Sequence, residues 1–254
     1  MKPSDTLILS DPLFPLQWHL LNQGTTPGSI AGYDINVVSV WPDYTGRGVL
    51  VGVLDDGMDN THPDLVDNYR PDLAWDVSLD IPGAAVQTSD DEHGVAVSGL
   101  VAATANNGIG GAGVAWGSQF TMYRMAFEAD DVLPLLLSSF QKAVVRKVAD
   151  GVQVSVNSWG PGFMLNDRAT SDAFLAAGRY LAQEGREGLG IAAVFAAGND
   201  REAKMNTNYD PTDKSPWHIV VAASNQAGGT TTFSTPGASI LISAPGSDPD
   251  SMVT

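Results

Sequence analysis

Val49-Leu50-Val51-Gly52-Val53-Leu54, followed at once by Asp55-Asp56-Gly57, is the stretch around which the chain is arranged. Six apolar residues, mostly β-branched or aliphatic, begin just after Gly46 and Gly48 and stop at an acidic turn. Such a run reads as a strand buried on both faces of a parallel sheet. Open α/β sheets bind and react at the carboxyl ends of their strands, so a site is expected where this strand ends. A carboxylate placed there costs free energy unless it is paired, so Asp55 is expected to have a partner. An ordinary turn acid would look the same from this stretch alone, because Asp and Gly are common in turns.

Outward from it, strands and helices alternate. Gly94 to Ala103 is small and apolar enough to pack closely as a helix, with His93 at its amino end. A turn-rich loop at 108–113 leads to a strand from Phe120 to Ala126. Asp131 to Asp150 reads as a helix stopped by Gly151, and Val152 to Val156 as the next strand. A helix over Thr170 to Arg186 precedes a buried strand, Ile191 to Phe195, which ends in Ala197-Gly198-Asn199-Asp200. Two more strands, His218 to Ser224 and Ala238 to Ser243, complete the pattern. The alternation predicts an α/β fold with a mainly parallel central sheet and helices on both faces. Residues 1–48 carry aromatic and proline anchors without a period, so they are read as an arm packed on a domain spanning 49–254.

The composition narrows the function. A chain of 254 residues with 29 acidic and 13 basic side chains has a net charge of -16. That charge repels nucleic acid and anionic membranes and suits cations or basic peptides. No apolar run approaches the roughly 18 residues of a membrane span. The amino-terminal apolar stretch, Leu7-Ile8-Leu9, is too short for a classical signal peptide. With no cysteine, disulfides, thiol catalysis and cysteine–zinc sites are excluded.

Three strand-to-loop junctions carry Asp55, His93 and Asn199, and a sheet brings such junctions together. The segments Val53-Leu54-Asp55-Asp56-Gly57-Met58-Asp59, His93-Gly94-Val95-Ala96-Val97-Ser98-Gly99 and Ala197-Gly198-Asn199 resemble the Asp, His and oxyanion-Asn motifs of the subtilisin superfamily. Asp11 to Leu20, Asn157-Ser158-Trp159-Gly160-Pro161 and Asn208-Tyr209-Asp210 resemble its kexin and furin branch in particular. The resemblance implies a subtilisin-like three-layer fold and serine endopeptidase chemistry. His93 would be the general base, and Asp55 would hold its tautomer and stabilise the imidazolium. Asn199 would donate to the oxyanion, a contact worth roughly 3 to 4 kcal/mol of barrier. His19, His62 and His218 are read as structural.

The same resemblance implies a substrate strand at Ser158, Trp159 and Gly160, with glycine at 160 allowing close approach. Asp210 would receive a Lys or Arg side chain before the cut, and Asp56 and Asp90 the residue before that. Phe163 stands where the branch has a second acid in the first pocket, and the helix near Gln141 lacks the acid that reads a more distant basic residue, so a preference for Lys or Arg is expected rather than strict dibasic specificity. Phe163 and Met205 replace acids of the branch's calcium site near that pocket, which is expected to be absent. A calcium ion, a hard cation that takes six to eight oxygens, would be held by the side chains of Asp11, Asp64 and Asn107 and the carbonyls of Thr104, Ile109 and Gly111. Asp76 and Asp80 are candidates for a further cation site.

The family's nucleophile lies in a Gly-Thr-Ser motif, and none occurs here. Asp250-Ser251-Met252 is the nearest look-alike. The C-terminal part of the fold is therefore expected to be incomplete, leaving an apolar groove open to water. The reading is of a calcium-stabilised, secreted protease that acts on polypeptides with basic residues, this chain being a truncated piece or one part of two. A companion fragment would carry the nucleophile. The alternative is a non-catalytic pseudoprotease that binds calcium or basic peptides.

Overall fold

A computed structural model describes residues 9–127, 132–160 and 167–246 of the chain, with only the backbone of Val132. Phe163, the Asp131 helix start and the look-alike Ser251 lie outside the described residues.

The stretch at 49–54 forms the central strand, β1 (Leu50–Asp55), buried from Val51 onward. It is followed by two short strands, β2 (Trp75–Asp76) and β3 (Ile81–Pro82), which the sequence reading missed. At two residues each they are too short to show a period. Helix α1 (His93–Ala102), β4 (Gln119–Arg124), α2 (Val132–Ala149), β5 (Val154–Asn157), α3 (Arg168–Glu184), β6 (Ala192–Ala196), β7 (His218–Ser224) and β8 (Ile240–Pro245) follow. All lie within a few residues of expectation. The α3 boundary shifts because Asp167, not Thr170, caps the helix: its carboxylate accepts from the Thr170 amide at 2.8 Å.

The sheet runs β3-β2-β4-β1-β5-β6-β7-β8, parallel throughout except for the β2–β3 pair. Residue alternation along β1 divides two cores. Leu54, with Tyr123 and Phe195, faces a cluster built on α2 and α3 around Phe140 and Phe174. Val51 and Val53, with Phe120 and Met122, face the α1 side and pack with Ala102 and Leu65. The fold is thus α/β with helices on both faces. The arm contributes Phe14, Leu20 and Trp41 to a third cluster, closed over Ala112 and Val114.

Helix α1 covers β1 and β4 but not the far half of its sheet face. There, by register, Val194, Ile219 and Val221 are only half-buried, and Ala196 and Ile242 are exposed. Among the described residues no helix covers this apolar strip.

Candidate active site

β1, β5 and β6 are neighbours in the sheet, and their carboxyl ends open side by side. The chain leaves β1 toward β4 on one side and later builds β5 through β8 on the other, so the site sits where strand order reverses. Asp55 ends β1 and is 1% exposed. His93 opens α1, and its Nδ1 lies 2.8 Å from Asp55 Oδ1. That contact places the ring proton on Nδ1 and leaves Nε2 free to accept one. The hydrogen bond to Asp55 holds the imidazole pKa above its ordinary value, although burial pulls the other way.

Asp56 sets the position of His93. Glu92, the residue before α1, makes no side-chain cap. Asp56 instead reaches across: its Oδ2 accepts from the His93 amide at 3.1 Å and its Oδ1 from the Gly94 amide at 2.6 Å. Two of the helix's unpaired amides are satisfied, at the end where the macrodipole favours a carboxylate. Gly94 is required for this docking, since a Cβ there would stand 2.5 Å from the Gly57 carbonyl oxygen and 2.8 Å from Asp56 Oδ1. Burial raises the Asp56 pKa, and the amide of Gly94 opposes it.

Ser158, Trp159 and Gly160, just past β5, form a wall shared by two clefts. One holds Asp55, Asp56 and His93. The other, of about 240 Å³, is lined by Asn199, Asp210 and Asp213 among others. Among the described residues the exposed Asn199 amide has no hydrogen-bond partner, so it is available to a ligand. Asp210 Oδ1 accepts from the Thr212 amide and hydroxyl at 2.7 and 2.6 Å, which leaves Oδ2 for the cleft. Burial pushes the Asp210 pKa up.

The structure adds detail to several expected roles. The Trp159 ring is buried edge-on against Phe140 and Phe195 in the α2–α3 core, so only its backbone can meet a substrate. A Cβ on Gly160 would touch only Asp210 Oδ2, at an ordinary 3.6 Å; nothing within the chain itself demands glycine there. The expected second acidic pocket also holds further charges. Asp56 and Asp90 do line one cleft, but Asp56 is engaged by α1 and the cleft also holds Arg124. That guanidinium is paired with Asp76 at 3.0 Å and Asp91 at 3.3 Å. Asp90 is left as the exposed acid. Asp76 is therefore an ion-pair partner, and Asp80 Oδ1 accepts from Trp75 Nε1 at 3.0 Å, so each of these acids has a partner within the chain.

The residues expected of a calcium loop lie near one another, joined by hydrogen bonds. Asp11 and Asp64 are both buried. Asp11 accepts from the amides of Asn106 and Asn107 at 2.7 and 3.1 Å, while Asp64 accepts from Asn107 Nδ2 at 2.6 Å and the Gly111 amide at 3.1 Å. The Thr104 amide donates to the Asp64 carbonyl, and Ile109 donates to Asn107 Oδ1. Gly110, at φ +53°, packs its backbone against the Asp64 carboxylate. Among the described residues no group of three or more acidic or histidine side chains converges as a metal cluster. What converges is two buried carboxylates and an amide, with no cationic side chain paired to either acid.

Sequence reasoning missed Asp213. It lies three residues after Asp210 on the same turn, a spacing that could have signalled it, but the motif drew attention to Asp210 alone.

The sequence profile of the subtilase family matches residues 46–253. Neuroendocrine convertase 2 of Bos taurus is 33% identical over 243 residues, covering 92% of this chain and 36% of that protein. Furin of Bos taurus is 33% identical over 228 residues, covering 86% and 26%. A crystal structure of the Aeromonas sobria serine protease in complex with a chaperone matches with a TM-score of 0.78 at 28% identity, covering 94% of this chain and 43% of that one. The chain thus spans 36% or less of the length of these two curated relatives. With a profile match over most of its length and relatives at this identity, the chain belongs to the subtilase family.

Proposed function

We propose that this chain supplies the general base, its orienting carboxylate and the oxyanion donor of a serine endopeptidase that cuts polypeptides after Lys or Arg. The observation that carries the reading is the 2.8 Å contact between His93 Nδ1 and buried Asp55, beside the cleft lined by Asn199. His93 Nε2 takes the proton of a serine hydroxyl as that oxygen attacks the scissile carbonyl, then returns it to the leaving amine. Asn199 donates to the carbonyl oxygen as it becomes an oxyanion. The substrate backbone runs along 158–160, and Asp210 Oδ2 receives the basic side chain before the cut. The serine itself comes from a segment or companion carrying the Gly-Thr-Ser motif absent from this chain.

The buried Asp11 and Asp64 carboxylates suit a hard cation, and calcium held there with Asn107 and the carbonyls of Thr104, Ile109 and Gly111 would tie the arm to the 104–111 loop. Such a loop serves best where calcium is plentiful, which fits action outside the cell. Among the described residues no helix is long and apolar enough to cross a membrane.

The test assays the full gene product with calcium on a fluorogenic Arg peptide, together with its His93→Ala variant. Cleavage lost in the variant, with a serine labelled by a fluorophosphonate, supports the reading. Calcium and peptide binding with neither cleavage nor labelling would replace it by the non-catalytic alternative.

A further inference from the structure

Asp213 is 5% exposed and lines the same cleft as Asp210, Asn199 and Gly160. Among the described residues its carboxylate has no hydrogen-bond or ion-pair partner, whereas Asp210 spends one of its oxygens on Thr212. A buried and a half-buried carboxylate three residues apart, with no basic side chain among the described residues paired to either, are costly unless a ligand supplies the charge. Other charged or titratable groups near the pair do not do so. Asp200 lines the cleft with the same sign. Lys214 is exposed, and its charge is the least of the influences on Asp210. His218 is turned to the Thr212 carbonyl at 2.7 Å and is held neutral by burial, its pKa lowered to about 4.

We propose that Asp213 is a specificity-determining residue of this cleft: with Asp210 Oδ2 it forms a two-carboxylate seat that selects an arginine side chain over lysine. The argument rests on the basic-residue pocket proposed above and adds to it a second acid that the family motif does not place. A guanidinium presents five donors in a planar fork and can bridge two carboxylates, while an ammonium concentrates its charge at one point. The state of the empty cleft agrees. Burial, and then the charge of Asp210, push the Asp213 pKa up to about 8. An arriving cation must therefore expel the Asp213 proton at neutral pH, so affinity should rise with pH until that acid is ionised and then level off.

Isothermal titration of the purified full chain with acetyl-arginine amide, acetyl-lysine amide and the uncharged acetyl-citrulline amide tests this between pH 6 and 9, in the wild type, Asp213→Asn and Asp210→Asn. The expected results are arginine bound about tenfold more tightly than lysine and citrulline not bound. Asp213→Asn should weaken arginine binding about 10- to 100-fold, as expected for losing a hydrogen-bonded charge, and should flatten its pH dependence. The same variant should melt at a higher temperature at pH 8 and above, since it removes an unpartnered buried charge; a purely structural role would not move stability and affinity in opposite directions. Unchanged arginine affinity in Asp213→Asn, with binding lost in Asp210→Asn, overturns the proposal and leaves the basic pocket standing. Equal affinity for arginine and lysine overturns the selectivity. No binding of either cation by the wild type overturns the basic pocket itself.

Discussion

Replacing Asp56 separates two roles that the sequence could not. As a substrate acid, Asp56 would leave stability unchanged on removal. As the structure has it, its carboxylate closes the amides of His93 and Gly94 at 3.1 and 2.6 Å. Asp56→Ala leaves both amides without their acceptor at the start of α1. Each such bond contributes about 0.5–1.5 kcal/mol, and loss of a cap about 1, so the variant should lose roughly 1–2 kcal/mol. For a chain of this size that is a fall in Tm of roughly 2–8 °C. The charge itself should matter less than the acceptors. Burial raises the Asp56 pKa, and a carboxyl raised in this way subtracts stability as pH climbs above its unfolded value. Asp56→Asn keeps one acceptor oxygen and drops the charge, so at pH 7 it should lose less than half as much as the alanine variant. Urea unfolding followed by tryptophan fluorescence measures both. Two variants indistinguishable from wild type would refute the cap, and two equally damaging ones would refute the claim that acceptors outweigh charge.

Asp55→Asn should lower the His93 pKa, visible in the imidazole NMR titration, and in the complete enzyme should cut kcat by about 10⁴, because the wrong tautomer is held; an unchanged titration would break the assignment. The wild-type dyad also carries a stability signature. With the His93 pKa raised, its contribution is complete below the unfolded value of about 6.5 and fades as pH rises through the folded one, so Asp55→Asn should cost most in acid. Calcium should raise Tm in the wild type by an amount equivalent to about 2.7 kcal/mol at a hundredfold excess over Kd, and Asp64→Asn should abolish the shift; an equal shift in the variant would place the ion elsewhere. Lys147 is fully buried on Ser155 Oγ at 2.7 Å, and burial lowers its pKa from 10.5 to about 7. Between those values the unfolded chain binds the extra proton, so stability from this group should rise with pH, and Lys147→Met should remove that slope and stabilise the chain near pH 6 by a few kcal/mol, about 1.4 per unit. A persisting slope would assign it to another group.

The legible parts of the chain were those whose cause is local. β1, α1 and β7 could be placed from hydrophobic runs and their breakers, because a buried strand and a packed helix impose a period on neighbouring residues. β2 and β3 could not, being two residues long and defined only by pairing with β4 and with each other. Asp55 and Asn199 drew attention because each comes at the end of a parallel strand read as buried, and His93 because it opens a helix of small residues, within motifs that resemble those of the subtilisin superfamily. The side-chain partners of Asp56, Trp159 and Arg124 were not legible. Whether an acid caps a distant helix, whether an indole points into the core, and whether a guanidinium fills a pocket depend on partners between 19 and 48 residues away.

The sequence by itself determined the main strands of the sheet and its helices, since periodicity is carried along the chain, and its motifs pointed to Asp55 and His93 as the pair that the structure brings to 2.8 Å. Only the tertiary structure decided how each acid spends its charge. Asp56 serves a helix, Asp76 and Asp91 serve Arg124, Asp64 holds a loop, and Asp210 and Asp213 share a cleft without a cation. A carboxylate's role is fixed by what surrounds it after burial, because desolvation and the nearest donor, not its place in the sequence, set whether its charge is neutralised, shared or left for a ligand.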